Sequence, residues 1–238
     1  MQQHTSKFKD TSLTGVTLSN VQSCLRMDDI NEVGDGTHHL QFHMLGMFSF
    51  RHLSVRETVK LWMEFLERIG ITPHYVTIHP DTPHWSEYHS VPVRFDEGCT
   101  WTDGSGPKSY CTEFYFNDIE IGNIVNPLGD CIDVGFGLER LELVLGGDPP
   151  RRDMVLRETT LRIIEDGYLP GNKKQGYVLR KLLRTLVREG IELDHPLWRV
   201  EQERVQSALD KYERLRRRHG DRPPEWWWDT HGIDITTL

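Results

Sequence analysis

The chain has 238 residues, and its 28 Lys and Arg against 36 Asp and Glu give a formal net charge of −8. Hydrophobic residues make up 37% of the sequence and charged residues 27%, which excludes collagen-like, low-complexity and compositionally disordered proteins. The sequence has no apolar run of about 18 residues, so we expect no membrane-spanning helix.

The four cysteines, Cys24, Cys99, Cys111 and Cys131, lie far apart along the chain. No pair has the short spacing of a structural zinc site, and a disulfide framework is not typical of a chain of this length. We therefore expect a reduced, cytoplasmic protein without bound zinc.

In the first third, a strand is indicated by Leu40, Phe42 and Met44, which fall on one side at a period of two after an Asp35-Gly36 turn signal. A helix over residues 54–70 is predicted next. It opens with a Ser54-to-Glu57 capping box, and its apolar stripe follows helical spacing: Val55, Val59, Trp62, Leu66 and Ile69.

The middle of the chain favours strands. After a short strand over 75–79, residues 111–116 and 119–121 predict a hairpin across a two-residue Asn117-Asp118 loop. Residues 131–134 predict a strand that runs through a glycine turn, 135–137, into a helix beginning at Leu138.

The last third is predicted to be helical, over 151–166, 176–189 and 198–218. Strands lead and helices follow, so the fold class is α+β, an antiparallel sheet flanked by helices and followed by a helical region. Residues 168–220 carry 13 basic and 7 acidic side chains, which fits either a polyanion-binding surface or a solvated helical face.

A possible binding site surrounds the glycine turn. Asp133 on the strand could hold an ammonium group, and Arg140 in the following helix could hold a phosphate or stack on a purine. Spacing alone favours a structural ion pair. Gly135 and Gly137 lack the third glycine of a dinucleotide-binding fingerprint.

Two other patterns are weaker. His38, His39 and His43 could suggest a metal, but no third ligand has suitable spacing, so zinc is a minor alternative. Trp101 begins a loop that is either plain surface or one wall of a small pocket.

In combination, these pieces resemble the catalytic and acceptor-recognition regions of the alanyl-tRNA synthetase family, a class II aminoacyl-tRNA synthetase family. The resemblance covers nearly the whole chain in order, and the stretch most similar to the second class motif is 38–50. The other matching stretches are 7–10, 22–26, 33–34, Trp101 with 104–107, 111–113, 120–125, the third-motif stretch 132–140, 176–181 and 229–232.

The resemblance implies a class II synthetase-like sheet in residues 1–150 and a tRNA acceptor-recognition region in 151–238. It implies that Arg26 and Arg140 are the catalytic side chains, with Arg26 on the α-phosphate of ATP and the alanine carboxylate. The ATP-binding residues would be Arg26, His38, Phe42, Glu113, Gly137 and Arg140, with Glu113 also near Mg²⁺. The alanine-binding residues would be Trp101, Asn123, Asp133 and Gly135, with Asp133 holding the ammonium group.

The acceptor side chains implied by the resemblance are Asn172, Lys173, Lys174, Arg180 and Arg184. The expected activity is activation of alanine with ATP and Mg²⁺ to alanyl-adenylate, then transfer to tRNA or to a small-molecule or carrier acceptor. The alternative is a non-catalytic paralogue that acts as a binding or regulatory module.

The chain departs from the family pattern at several points. The stretch between Arg26 and Asp29 is shortened where class II enzymes meet the tRNA end. Thr37 replaces an arginine, His43 a glutamate and Gly122 a tryptophan. The family's editing domain has no counterpart in the sequence, which makes a non-tRNA acceptor attractive.

Overall fold

The computed structural model describes residues 5–102, 108–231, 233 and 235. The family-like residues 104–107 and Gly232 lie outside the described residues. The chain forms two compact units. The sheet unit comprises Met1–Arg26 and Asp35–Pro149, and the helical unit comprises Met27–Gly34 and Pro150–Leu238.

The sheet unit is built on one mixed sheet of eight strands. The strands are β1 (Val16–Leu25), β2 (Gln41–Phe50), β3 (Tyr75–Ile78), β4 (Val93–Phe95), β5 (Thr100–Trp101), β6 (Ser109–Phe116), β7 (Ile119–Asn126) and β8 (Cys131–Gly137). Their order is β1-β2-β8-β7-β6-β3-β4, with β5 added beside β6. All pairs are antiparallel except β3 with β4, so the predicted α+β fold is confirmed with one parallel pair.

Three helices belong to the sheet unit: α1 (Thr5–Lys9), α2 (Val55–Arg68) and α3 (Leu138–Val144). The predicted capping box at the start of α2 is confirmed, because the Ser54 side chain accepts from the Glu57 backbone and Glu57 accepts from the Ser54 backbone. One 3₁₀ helix spans Pro83–Tyr88 and another spans Pro127–Gly129.

The predicted hairpin is also confirmed. Its loop residues Asn117 and Asp118 both adopt positive φ, 47° and 61°, the conformation that a two-residue hairpin turn requires. Beyond the turn, β6 and β7 pair over their full length with one irregularity between Phe114 and Tyr115.

The main core lies between one face of the sheet and α2. The predicted stripe residues Val59 and Leu66 are fully buried there, and the Trp62 ring stacks on Phe136 with centroids 4.5 Å apart. The strand residues in this core are Met47, Val76, Ile78, Phe114, Ile121, Ile124, Ile132, Val134 and Phe136. Burial of this apolar surface supplies the main stabilisation of the unit.

The helical unit contains α4 (Arg152–Glu165), α5 (Lys174–Arg188), α6 (Pro196–His219) and α7 (Pro224–His231), close to the predicted bounds. It also contains the 3₁₀ helix Met27–Asn31, which follows Arg26. Arg152 fixes this segment, donating to the carbonyl oxygens of Ile30 at 2.7 Å and Val33 at 2.9 Å while also binding the Glu189 carboxylate. No helix among the described residues combines the length and apolar character needed to cross a bilayer.

Candidate functional site

The candidate site lies on the face of the sheet opposite the main core. Strand side chains alternate between faces, so Asp133, Gly135 and Gly137 point away from the core residues Ile132, Val134 and Phe136. The register then places one transverse row on this open face: Glu113, Asn123, Gly135 and Gly46. At about 4.8 Å per strand, this row spans about 14 Å.

A second row on the same face contains the predicted ammonium ligand. Asp133 pairs with Val125 on one side and Phe48 on the other, and Cys111 follows Val125. Asp133 is only 7% exposed, and this burial raises the pKa of its carboxyl group to about 6. A carboxylate in such a place favours a cationic partner, because the partner restores the stabilisation that water no longer provides.

Asn123 lies close to Asp133, whereas Trp101 packs against Val125, the strand neighbour of Asp133. Asn123 lies on β7 two residues from Val125, on the same face. Trp101 pairs with Ser109 and packs against the cluster of Cys99, Cys111 and Val125. The neighbours of Asp133 on the β7 side are therefore apolar.

The glycines of this face contribute no side chains of their own, and neighbouring side chains extend over them. A Cβ atom at Gly135 would lie 2.9 Å from Met44 Sδ, and one at Gly46 would lie 2.6 Å from Asn20 Oδ1. The flexible ends of Met44 and Asn20 therefore occupy the space above the glycines. A planar ligand could enter by displacing them.

The predicted nucleotide end lies at the other end of β8. Gly137 pairs with Met44, Phe42 follows on the same face of β2, and α3 begins directly after Gly137. Arg140 is held in place, since its Nη1 donates to the Glu120 carbonyl oxygen at 2.7 Å and lies 3.4 Å from the Glu120 carboxylate. Asp133 and Gly137 are four positions apart along β8, so their Cα atoms are about 13 Å apart.

Arg26 lies with the nucleotide end rather than with Asp133. It comes directly after β1, and its backbone N–H donates to Leu40 at 2.8 Å. On β1, Leu18 is the residue in register with Asp133, through Phe48 on β2. Arg26 lies eight positions after Leu18 along the chain.

His38 belongs to a turn before β2. Its Nδ1 lies 2.5 Å from Asp35 Oδ2, and its backbone N–H donates to Asp35 Oδ1 at 2.9 Å. Partial burial raises the pKa of Asp35, but the hydrogen bonds from His38 and Thr37 outweigh it and lower the pKa overall. His38, His39 and His43 form no metal-binding group among the residues that the structure describes.

Glu113 does not provide a typical Mg²⁺ site. Its Oε2 accepts from Tyr115 at 2.7 Å and from Thr77 at 3.4 Å, while Oε1 lies 3.9 Å from Cys111 Sγ. Burial raises the pKa of Glu113, and the neighbouring Glu120 raises it further. Mg²⁺ prefers an all-oxygen environment, whereas this carboxylate faces thiols.

Four of the five predicted acceptor residues lie together at the start of α5 in the helical unit. Lys173 and Lys174 are exposed. Asn172 accepts a hydrogen bond from Arg180, and the Arg180 guanidinium lies 5.9 Å from the centre of the Tyr177 ring.

Arg184 stands one turn farther along α5 and has a different environment. Its Nε donates to Glu201 on α6 at 2.7 Å, and the Glu201 side chain is only 2% exposed. This contact ties two helices together.

Sequence reasoning missed several contacts made across the sheet. Gly122 lies on the core side, where a Cβ atom would come within 2.3 Å of the Phe136 ring, so no larger side chain fits there without moving Phe136. The pairing of Cys99 with Cys111 and the contact of Glu139 with His43 were also missed. The first depends on the β5–β6 pairing and the second on the β2–β8 pairing, neither of which the sequence reveals.

Comparisons with known proteins identify the family. The family model described as tRNA synthetases class II (A) matches residues 3–126. The chain is 30% identical over 252 residues to the alanine–tRNA ligase of Bacillus pumilus, covering 72% of this chain and 29% of the relative. It is 29% identical over 280 residues to the enzyme of that name from Carboxydothermus hydrogenoformans, covering 84% and 32%.

The corresponding Legionella pneumophila protein is 28% identical over 273 residues, covering 80% of this chain and 32% of that relative. The chain thus spans less than a third of the length of these curated relatives. The family model covers the strands that carry Glu113 and Asn123, and the chain belongs to the class II tRNA synthetases.

Proposed function

We propose that the protein activates alanine with ATP and transfers the alanyl group to an acceptor. The observation that carries the proposal is the buried Asp133 carboxylate beside Asn123 on an open face floored by glycines. Family membership and the alanine–tRNA ligase relatives support alanine as the amino acid.

In the proposed reaction, an oxygen of the alanine carboxylate attacks the α-phosphorus of ATP. The new bond is a mixed carboxylic–phosphoric anhydride, and the bond between the α-phosphorus and the bridging oxygen breaks as pyrophosphate leaves. No protein nucleophile is needed. The protein has to bring two anions together, keep them aligned and neutralise the developing charge.

Each side chain then has a defined task. Asp133 accepts hydrogen bonds from the alanine ammonium group, Asn123 borders the amino acid, and Trp101 closes the apolar side of the pocket. Arg26 neutralises charge at the α-phosphate. Phe42 and Arg140 lie at the end of the face where the adenine would stack, and stacking on a guanidinium requires Arg140 to loosen its contact with Glu120.

The predicted roles of His38, Gly135 and Gly137 fit this arrangement. Gly135 and Gly137 have no side chains, so the ligand can approach the backbone of β8. His38 would lie near the phosphates. Mg²⁺ would enter with ATP, and no step is assigned to it because Glu113 does not offer the ligand set that Mg²⁺ prefers.

Alanine-dependent exchange of pyrophosphate into ATP tests the activation step. We expect exchange by the unmodified chain, loss of at least 100-fold in Asp133→Ala, and unchanged exchange in Asp148→Ala, an exposed aspartate of the same unit. Exchange that survives in Asp133→Ala at saturating alanine would refute the role of Asp133.

The acceptor is proposed to be tRNA, through Asn172, Lys173, Lys174, Arg180 and Arg184, or a small molecule or carrier. Phosphate contacts by Lys and Arg dominate nucleic-acid affinity, which favours tRNA for this exposed basic segment. Transfer of radiolabelled alanine with and without tRNA distinguishes these acceptors. Labelled product that requires tRNA supports the first, and product formed without tRNA supports the second.

A non-catalytic binding module is the second candidate, because Arg140 is already engaged by Glu120 in the structure. Such a module would show a thermal shift with ATP and alanine but no pyrophosphate exchange. Exchange above the Asp133→Ala background would exclude it.

A further inference from the structure

A compact group of three metal-binding side chains lies at the β5–β6 end of the open face. Cys99, Cys111 and Glu113 each offer one donor atom, and all three atoms lie within 4.8 Å of one another. Among the residues that the structure describes, this is the one such group of three. Cys99 is fully buried and Cys111 is 3% exposed, so the two thiols are shielded from bulk water.

The backbone brings these side chains together. The Cys111 N–H donates to the Cys99 carbonyl oxygen at 3.0 Å, which continues the β5–β6 pairing of Thr100 with Tyr110 by one position. Glu113 follows Cys111 by two residues on β6, so the side chains of Cys111 and Glu113 leave the same face of the strand. Two paired strands therefore fix all three donors.

Hydrogen bonds already orient the carboxylate for this purpose. Tyr115 and Thr77 both donate to Glu113 Oε2, and the other oxygen, Oε1, is directed to Cys111 Sγ at 3.9 Å. Such an outer hydrogen bond to the second oxygen is how proteins orient carboxylate ligands of metals. Thr77 also accepts from Cys99 Sγ at 3.0 Å, so one hydroxyl contacts both sides of the group.

We propose that Cys99, Cys111 and Glu113 form a binding site for a thiophilic divalent cation, with Zn²⁺ the best fit. Two sulfurs and one carboxylate oxygen match the ligand chemistry of Zn²⁺, and thiolates select against Mg²⁺ and Ca²⁺. Tetrahedral Zn²⁺ holds its sulfur ligands about 3.8 Å apart, so the group has to contract by at most about 1 Å. Three protein ligands leave one position for water or a substrate atom.

This site adjoins the proposed alanine pocket, because Glu113 pairs with Asn123 and Trp101 packs against the two thiols, but the thiols do not reach the ammonium ligand. Val125 stands between Cys111 and Asp133 in their row, which puts the thiol about 10 Å from the ammonium ligand. Glu113 is then a ligand of the cation held by the two thiols and not of Mg²⁺. This cation site does not depend on whether the chain activates alanine.

Metal binding can be measured directly on the purified, reduced chain. We expect one equivalent of Zn²⁺ by elemental analysis after addition of Zn²⁺ alone and desalting, and an increase in melting temperature, because a ligand that binds only the folded state stabilises it. With Co²⁺ alone, intense near-ultraviolet thiolate-to-metal absorption should appear.

Cysteine variants give the matched comparison. Cys99→Ser and Cys111→Ser should lose the bound metal and the thiolate absorption, and Glu113→Gln should weaken binding at least tenfold. Cys24→Ser should behave like the unmodified chain, because Cys24 lies on β1, outside the group. Circular dichroism shows whether each variant is folded.

Three results would overturn the proposal. The first is metal retention by a folded Cys99→Ser, Cys111→Ser double variant equal to that of the unmodified chain. The second is bound Co²⁺ without thiolate absorption. The third is a Cys99–Cys111 disulfide in the purified chain that, once reduced, leaves a protein that binds no metal. Pyrophosphate exchange enters none of these measurements, so failure here leaves the proposed function to its own test.

Discussion

The Glu139 carboxylate on α3 accepts hydrogen bonds from the backbone N–H of His43 on β2, at 2.8 and 2.9 Å from its two oxygens, and its Oε1 lies 2.8 Å from His43 Nδ1. Phe42 and Arg140 are the immediate neighbours of these two residues in sequence. The contact therefore sets the distance between the strand and the helix that would enclose the adenine. His43 stands where the family has a glutamate, and the imidazole ring of His43 contacts the Glu139 carboxylate.

Glu139→Ala is expected to lower the free energy of unfolding by about 1 kcal/mol, because a backbone N–H and a ring nitrogen lose their acceptor. Urea denaturation measures the loss. Glu142→Ala, an exposed position on the same helix, should change stability by less than about 0.5 kcal/mol. Equal effects of the two substitutions would show that the contact with His43 contributes nothing.

Asp133 predicts a pH-dependent stability. Burial raises its pKa from 3.8 to about 6, so the folded state holds the proton more tightly than the unfolded state does. The resulting stabilisation is complete below pH 3.8 and is lost as the pH rises through about 6. At pH 7 the buried charge costs at most about 3 kcal/mol.

Asp133→Asn should therefore stabilise the ligand-free protein at pH 7 and change little at pH 4, as measured by denaturation at both values. Asp148→Asn is the control, since that side chain is exposed. A stabilisation by Asp133→Asn that is the same at pH 4 and pH 7 would contradict an origin in the buried charge.

The Phe136 ring occupies the core space next to Gly122 that a side chain at position 122 would need. A Cβ atom at Gly122 would lie 2.3 Å from Phe136 Cγ and 2.7 Å from the Gly135 carbonyl oxygen. Because Phe136 is fully buried and stacked on Trp62, it cannot move aside, and Gly122→Ala should cost about 3 kcal/mol.

The double variant Gly122→Ala, Phe136→Leu tests the origin of this cost. The smaller side chain frees part of the volume, so the double variant should lose less stability than the sum of the single losses, measured as a double-mutant cycle. Additive losses would locate the clash at the Gly135 carbonyl oxygen instead.

The sequence predicted the elements that are stabilised by contacts between residues close together in the chain. The Ser54–Glu57 capping box and the Asn117-Asp118 turn depend on residues within a few positions of each other, and both are confirmed. The strand that carries Asp133 is predicted over 131–134 with a glycine turn over 135–137, and the structure corrects this prediction, because β8 continues through the glycines to Gly137.

Contacts between distant segments could not be predicted in this way. Cys99 and Cys111 are twelve positions apart and became neighbours through the β5–β6 register, which a spacing rule for zinc sites does not detect. The Arg140–Glu120 contact likewise depends on where β7 lies relative to α3. Burial of Asp133 was the least accessible feature, since it depends on the strand register that places Asp133 between the buried residues Val125 and Phe48.

Arg184 and Arg180 separate a structural role from a binding role on one helix. Glu201 is 2% exposed and is paired with Arg184 at 2.7 Å, with Arg204 at 3.4 Å as its second partner. Removing Arg184 leaves a buried carboxylate with one weaker partner, so Arg184→Ala should lower the free energy of unfolding by about 2 kcal/mol. Arg180→Ala breaks contacts only with the exposed residues Asn172 and Tyr177 and should change stability by less than about 0.5 kcal/mol while weakening polyanion binding. Denaturation and tRNA binding at two salt concentrations, measured on both variants, check this division. If Arg180→Ala were the more destabilising variant, or if neither variant affected tRNA binding, the basic start of α5 would have to be read as a solvated helical face.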